Sequence, residues 1–144
     1  MNRLPIPASR KLATALALCA GLALAGAADV FASASHGDKV TLVSSEALPN
    51  LPGQRLTTVL VEYEPGGKSH AHHHAGSVMA YVLQGLIRSE LKGGEVRVYH
   101  AGETFFEPPG AEHLVSENAS ATEPASLLAI FVAPDSAKLT VFDE

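Results

Sequence analysis

Four of the chain's 7 histidines fall in one short segment, residues 70–74. A neutral imidazole is a good ligand for first-row transition metals, which it binds at about 2.0–2.1 Å. Side chains of an extended strand alternate between two faces, so His72 and His74 would share one face and His73 would take the other. The best candidate for a third ligand is His113, which follows a Pro-Pro-Gly turn. These three residues are the predicted metal ligands, and a surface histidine cluster without metal is the alternative.

Two further side chains are candidates for proton transfer beside such a site. His70 has the same parity as His72 if the strand begins early, and an imidazole at the cavity mouth could act as a general acid or base. In a regular strand Glu117 shares the face of His113, so it could supply an anionic group to the metal or to its surroundings. The alternatives are a solvated loop histidine and a solvated carboxylate at the end of a strand.

Short β-branched and aliphatic segments recur along the chain between Gly- and Pro-rich turn signals. They cover residues 40–43, 56–63, 78–83, 86–91, 96–99, 104–106, 113–116, 127–132 and 139–142. None is long enough for a convincing helix, and the regular spacing predicts an all-β sandwich or barrel. The clearest hairpin runs from Leu86 to Tyr99, because Lys92-Gly93-Gly94 supplies residues that tolerate positive φ.

The N-terminal segment has the pattern of a secretory signal peptide. Three basic residues precede an uncharged, Ala- and Leu-rich stretch at residues 12–28, and Ala32-Ser33-Ala34 offers a small-x-small cleavage site. We therefore predict a signal peptide at residues 1–34 and an exported, periplasmic or secreted domain at residues 35–144. The alternative is an uncleaved anchor, since the apolar stretch is near the lower limit for spanning a bilayer. After cleavage we expect no stable membrane anchor.

Composition limits the remaining function classes. With 144 residues, 47% of them hydrophobic and 17% charged, the chain is expected to form a single globular domain. Removal of residues 1–34 would take away three basic residues and one acidic residue, which changes the net charge from −5 to −7 and disfavours nucleic acid as a partner. The one cysteine, Cys19, would leave with that segment, so no disulfide and no thiol nucleophile are expected in the mature domain.

Two sets of residues resemble the two motifs of the cupin family. The first motif is matched in every spacing by Gly66, His72, His74, Val78 and Gly85. The second is matched by Gly102, Pro108, Gly110, His113 and Glu117. Residues 86–101 correspond to the short spacer of small bacterial cupins. Val78 stands where the family usually has Glu, and Glu117 stands where Asn is usual.

The resemblance implies a conical cupin β-barrel of the jelly-roll type with one divalent transition metal, Fe, Mn, Ni, Cu or Zn, at its centre. Carried across by position, the ligands here are His72, His74 and His113. The Glu ligand is missing, because the valine at its position cannot coordinate a metal. One interpretation is a three-His face with open positions for substrate and dioxygen, as in cupins that use three-His iron. The other is a barrel that has lost catalysis and binds a ligand or nothing.

The first functional hypothesis is an exported metal-binding cupin that acts as a three-His Fe(II)-type dioxygenase on a small organic molecule. A Zn or Ni hydrolase or isomerase would use the same ligands. The alternative is a non-catalytic module of the cell envelope that binds a small molecule or a metal ion. We also expect a homodimer, paired through the strand at residues 127–132 or the N-terminal strand at Val40. Fold resemblance by itself does not assign a reaction.

Overall fold

The computed structural model describes residues 37–143, and the predicted signal peptide at residues 1–34 lies outside them. Over this range the regular secondary structure consists of β strands. They are β1 Asp38–Ala47, β2 Gln54–Tyr63, β3 His72–His74, β4 Ser77–Gln84, β5 Leu86–Leu91, β6 Arg97–His100, β7 Thr104–Glu107, β8 Glu112–Asn118, β9 Ala125–Pro134 and β10 Thr140–Phe142. No segment of residues 37–143 forms a helix long and apolar enough to cross a membrane.

The strands form two five-stranded antiparallel sheets. Sheet 1 has the order β1-β2-β9-β4-β7, and sheet 2 has the order β10-β3-β8-β5-β6. Strands β4 and β9 alternate between buried and more exposed side chains, as expected for sheets with one face in the interior. Two facing antiparallel sheets of this kind form the jelly-roll architecture, so the predicted all-β cupin fold is confirmed. The predicted hairpin is also confirmed, because β5 pairs with β6.

The two sheets contribute different chemistry to the interior. Most buried apolar side chains come from sheet 1, namely Val59, Val61, Val78, Ala80, Val82, Phe105, Ala125, Leu127, Ala129 and Phe131. The inner face of sheet 2 is largely polar, with buried His72, His74, Ser89, His113, Ser116 and Asn118. Apolar burial between the sheets stabilises the fold, while the second sheet carries the groups that can do chemistry.

One part of the homodimer prediction is wrong. The strand expected to pair across a two-fold axis, residues 127–132, belongs to β9, which lies third in sheet 1. It pairs with β2 on one side and with β4 on the other, so its backbone hydrogen bonds are made within the chain. Strand β1, which contains Val40, does lie at an edge of sheet 1. Pairing through β1, and the homodimer itself, stay predictions.

Gly85 lies where the chain leaves sheet 1 at the end of β4 and enters sheet 2 at β5. Its φ is +73°, and a Cβ atom there would lie 2.6 Å from the carbonyl oxygen of Pro124. The turn therefore needs both the left-handed backbone that glycine tolerates and the absence of a side chain. Gly102 has a similar φ of +91°, but a Cβ atom there would meet nothing within 4 Å.

Alanine substitutions at Gly85 and Gly102 form a matched test of the turn between β4 and β5. Gly102→Ala should lower the free energy of unfolding by about 1–2 kcal/mol, the ordinary strain of a left-handed alanine. Gly85→Ala should cost a further 1–3 kcal/mol, roughly, because its methyl group also collides with backbone. Urea unfolding of both variants measures the difference. Equal losses would contradict the close approach at Gly85.

Candidate metal centre

The three predicted ligands come together inside the barrel. His72 and His74 lie on β3, His113 lies on β8, and the pairing of these strands sets His72 directly opposite His113. One ring nitrogen from each of the three residues lies within 4.8 Å of the others. Their exposed fractions are 7%, 6% and 2% for His72, His74 and His113. His73 faces the other way, where its Nδ1 lies 2.9 Å from a carboxylate oxygen of Asp143. The alternation predicted for this segment is therefore confirmed.

Backbone carbonyls orient the two imidazoles of β3. The Nδ1–H of His72 donates to the carbonyl oxygen of His70 at 2.6 Å, and the Nδ1–H of His74 donates to that of Leu139 at 2.9 Å. Because a carbonyl can only accept, each ring carries its proton on Nδ1 and keeps a lone pair on Nε2. Hydrogen bonds of this kind hold a metal-binding imidazole in one tautomer and one orientation.

A buried carboxylate that the sequence did not predict lies beside the three imidazoles. Glu107, at the end of β7, is only 3% exposed. Its Oε2 lies 3.1 Å from Nδ1 of His113 and 3.6 Å from Nε2 of His74. The valine at position 78 thus leaves a group of three histidines whose ring nitrogens lie within 4.8 Å of one another, as the sequence predicted, and Glu107 brings a carboxylate beside this group from outside both motifs. The signal was present in β7, where alternation places Glu107 on the same inner face as Phe105.

The position of Glu107 explains how Val78 is accommodated. Val78 stands where the cupin family usually has Glu, and in the register of β4 with β7 it is paired directly with Glu107. Directly opposed residues of an antiparallel pair have Cβ atoms about 4.5–5.5 Å apart on the same face. The carboxylate thus enters the barrel from the neighbouring strand, close to its usual origin, while the valine side chain is fully buried in the core.

The polar atoms of this cluster fit a metal cation. Among residues 37–143, Glu107 Oε2 and His113 Nδ1 are the buried side-chain atoms that have no hydrogen-bond partner. They face each other at 3.1 Å without hydrogen-bond geometry, and a buried polar atom left unpaired costs about 1–3 kcal/mol. Three imidazoles and one carboxylate suit divalent Fe, Mn, Ni, Cu or Zn, so a single ion there would satisfy both atoms.

Burial and mutual contacts set the charges of the cluster. Burial lowers the pKa of His72 to about 4 and also lowers the pKa of His74. Burial alone would raise the pKa of Glu107, but the facing imidazoles of His113 and His74 outweigh it, and that pKa is lowered. At neutral pH the two imidazoles of β3 are therefore neutral and the carboxylate is ionised, which are the forms that bind a metal.

The cluster borders a cavity of about 310 Å³ between the two sheets. That volume is at the small end of the usual range for ligand pockets, roughly 300–1,000 Å³. Sheet 1 contributes an apolar wall that includes Val59, Val61, Leu127 and Phe131. The cavity therefore suits a small organic molecule with an apolar body.

A bulge in β8 overturns the expected orientation of Glu117. Glu90 of β5 pairs with Val115, but the next residue, Leu91, pairs with His113, so Leu114 is an extra residue in β8. The extra residue reverses the alternation, and Ser116 is buried on the inner side with His113. The prediction that Glu117 shares the face of His113 is therefore wrong.

The two residues predicted to transfer protons lie away from the cavity walls. Glu117 forms an ion pair with Arg88 of the adjacent strand, and it is not among the residues that line the cavity. His70 is exposed, with its ring 6.3 Å from that of Phe142, and it contributes to the site through its backbone carbonyl. Their catalytic roles stay predictions.

The family follows from the sequence match and the fold together. Residues 59–131, just over half of the chain, match the Cupin_2 family, which is described as a cupin domain. The chain therefore belongs to the cupin family, and the matched range contains the three histidines and Glu107. No curated protein matches the chain.

Several solved structures share the fold. An RmlC-like cupin from Shewanella frigidimarina is 21% identical, with 73% of this chain and 87% of that chain covered and a TM-score of 0.54. The DMSP lyase DddQ from Ruegeria pomeroyi is 21% identical, with 60% and 42% covered and a TM-score of 0.53. An oxalate oxidase in complex with the substrate analogue glycolate is 24% identical, with 74% and 55% covered and a TM-score of 0.57. The chain thus spans about two fifths of the lyase and about half of the oxidase.

The low pKa of His72 predicts acid sensitivity of the metal-free protein. In the unfolded chain His72 takes up a proton near pH 6.5, whereas in the folded protein it does so only near pH 4. The unfolded state therefore binds more protons between these values, and stability falls as the pH drops through that window. From pH 7 to pH 5 we expect His72 to account for a loss of about 2 kcal/mol. Urea unfolding of chelator-treated protein measures it.

The controls for this pH effect are two substitutions of histidine by glutamine. His72→Gln removes one buried titrating ring and should take away its share of the pH dependence, about 2 kcal/mol, while the share of His74, whose pKa burial also lowers, remains. His100→Gln changes an exposed ring and should leave the dependence as in the wild type. An unaltered pH dependence in His72→Gln would contradict the assignment.

The location of the carboxylate predicts an exchange of function between two paired positions. Glu107→Val should weaken binding of Co²⁺ by about 10- to 100-fold or more, because the remaining ligands are neutral. The double variant with Val78→Glu and Glu107→Val should recover most of that loss, since both positions face the same point. Competition with a chromophoric chelator measures the affinity.

Glu117→Gln is the matched control for the carboxylate. It removes the carboxylate that the sequence offered as a candidate partner of the metal, but that carboxylate pairs with Arg88, so Co²⁺ affinity should stay at the wild-type value. Loss of affinity in Glu117→Gln, with none in Glu107→Val, would reverse the assignment of the anionic partner.

Proposed function

We propose that this chain is a metal-dependent enzyme that oxidises a small organic molecule, as an Fe(II)-type dioxygenase does. The observation that carries the proposal is a buried cluster of three imidazoles and one carboxylate on the wall of an apolar cavity. His72, His74, His113 and Glu107 would hold one divalent transition metal. When bound, such a metal supplies Lewis-acid and redox chemistry that side chains alone lack.

The protein's own contribution is to orient the ligands and exclude water. The carbonyl oxygens of His70 and Leu139 fix the imidazoles of β3. The ring of Phe131 stands edge-on to His74, with ring centres 5.0 Å apart, and the ring of Phe105 stands edge-on to His113 at 6.0 Å. Aromatic rings in these positions keep the surroundings apolar, which strengthens electrostatic interactions at the cluster.

The character of the solved relatives supports a small substrate. The oxalate oxidase was solved with the substrate analogue glycolate, and DddQ is a lyase of DMSP. Both are small organic molecules, which agrees with a cavity of about 310 Å³. Export to the periplasm or medium is proposed from residues 1–34 alone, and a homodimer from the resemblance to other cupins.

A non-catalytic cupin that binds a small molecule is the second candidate, and one observation favours it. Neither His70 nor Glu117, the two residues predicted to transfer protons, lines the cavity. The lowered pKa of Glu107 also leaves that carboxyl without a proton to donate at neutral pH. A binding protein needs no proton donor, so turnover has to be measured separately from binding.

Metal content is the first test of the proposal. Residues 35–144, purified without a histidine tag and reconstituted with Fe²⁺, should hold about one metal ion per chain by mass spectrometry. The double variant with His72→Ala and His113→Ala should hold almost none. The double variant with His73→Ala and His100→Ala removes as many imidazoles from outside the cluster and should keep the wild-type content. Little metal in the wild type would contradict the proposed centre.

The same Fe²⁺-loaded preparations separate the enzyme from the binding module. With small carboxylates, thiols and diketones supplied in turn, a dioxygenase consumes one O₂ for each substrate molecule lost. An oxygen electrode together with chromatography of the substrate measures both quantities. Saturable binding without O₂ uptake would overturn the dioxygenase and establish the second candidate.

A further inference from the structure

A chain of hydroxyl groups runs along the cavity wall apart from the metal cluster. Tyr63 Oη lies 2.8 Å from Ser116 Oγ and 3.0 Å from Ser69 Oγ, and Ser69 Oγ donates to Asp38 Oδ2 at 2.7 Å. All four residues line the cavity. Tyr63, Ser116 and Asp38 are buried. The metal proposal uses none of them.

Four separate parts of the fold bring these residues together. Asp38 begins β1, and Tyr63 ends β2 on the same inner row as Val59 and Val61. Ser69 precedes β3, and its amide donates to the carbonyl oxygen of Ser116 at 2.9 Å. The bulge in β8 turns Ser116 inward. Because the strands and their backbone hydrogen bonds position these residues, the series of side-chain hydrogen bonds forms only when the barrel is folded.

Counting protons fixes the direction of every hydrogen bond in the chain. Each hydroxyl has one proton to donate. The Ser69 proton goes to Asp38, so in its contact with Tyr63 the serine must accept, and the phenol must donate. The Tyr63 proton is then used, so Ser116 must donate to the phenol oxygen. The direction runs from Ser116 through Tyr63 and Ser69 to Asp38.

The direction of these hydrogen bonds determines what Ser116 can offer to a molecule in the cavity. Its proton is committed to Tyr63, so toward the cavity Ser116 Oγ can offer only lone pairs. Hydrogen bonds in such a chain polarise one another toward the terminal carboxylate, which keeps this direction in place. Burial raises the pKa of the Tyr63 phenol to about 12, so the phenol keeps the proton that the direction requires.

We propose that Ser116 Oγ is a ligand-binding acceptor, so the molecule bound in the cavity carries a hydroxyl or N–H donor as well as a metal-binding group. The inference rests on the proposed metal centre, because the metal would bind the other end of the same molecule. His113 and Ser116 lie on one strand with a bulged residue between them, which separates them by roughly 7–10 Å at about 3.3 Å per residue. A short aliphatic segment joining the two polar ends would lie along the apolar wall of sheet 1.

The test uses Co²⁺-loaded protein and carboxylates that differ at one terminal group. The probes are 4-hydroxybutyrate, 4-fluorobutyrate and pentanoate, which have the same number of heavy atoms, with the homologues of each that are one methylene shorter and one methylene longer. The hydroxyl compound should bind about 5- to 10-fold more tightly than its two partners at one chain length, the ordinary effect of one hydrogen bond. Titration of the Co²⁺ absorption bands, checked by calorimetry, measures the dissociation constants.

Variants identify which atom makes the contact. Ser116→Ala should abolish the preference for the hydroxyl compound and leave binding of pentanoate unchanged. Tyr63→Phe removes the acceptor of the Ser116 proton, so that proton can turn into the cavity, and the discrimination against the fluoro compound should shrink. Tyr99→Phe is the control, because Tyr99 is half-buried against Phe105 and does not line the cavity. Its selectivity should match the wild type.

Each contrary result has one meaning. A preference for the hydroxyl compound that survives in Ser116→Ala, or no preference in the wild type, overturns the assignment of the acceptor. Binding of Co²⁺ without perturbation by any of the carboxylates also overturns it and leaves the metal centre standing. Failure to bind Co²⁺ overturns the metal centre, and with it the inference. Thermal unfolding and Co²⁺ content of each variant show whether its barrel is intact.

Discussion

The buried carboxylate of Glu107 is the constraint on which the site depends. An ionised group in an apolar interior is costly unless it is paired, hydrogen-bonded or bound to a metal. Here it faces two imidazoles at 3.1 and 3.6 Å, and the atom between them has no hydrogen-bond partner. The backbone carbonyls, the aromatic rings and the pairing of β3 with β8 all hold the imidazoles in this arrangement. A bound cation would pair with the carboxylate and offset the cost of burying it.

The two sheets of the barrel contribute different side chains to the interior. Sheet 1 supplies nearly all of the apolar core, so its inner face drives folding and shapes the apolar side of the cavity. Sheet 2 supplies the imidazoles and buried serines. The buried serines and the imidazoles of β3 each make a side-chain hydrogen bond, which lowers the cost of burying them opposite an apolar wall. The carboxylate of Glu107 is the exception, since β7 carries it from sheet 1 to the imidazoles of sheet 2.

The pairing of Val78 with Glu107 places a carboxylate on the strand next to the position where the cupin motif usually has one. Paired residues on adjacent antiparallel strands project to the same face within one side-chain length. We therefore expect a carboxylate at either position to face the same part of the interior. Position along the sequence matters less here than position across the sheet.

The sequence by itself determined the all-β fold, the hairpin of β5 and β6, and the grouping of His72, His74 and His113. Strand alternation and turn chemistry are local, and the cupin spacing fits the segment from Gly66 to Glu117. Only the tertiary structure decided that Glu107 faces His113, because that contact depends on the register of β7 with β4 and on the approach of the two sheets. It also decided that Ser116 replaces Glu117 on the inner face, because one bulged residue reverses the alternation of a strand. Local pattern predicts which side chains alternate, whereas register and bulges decide which of them meet.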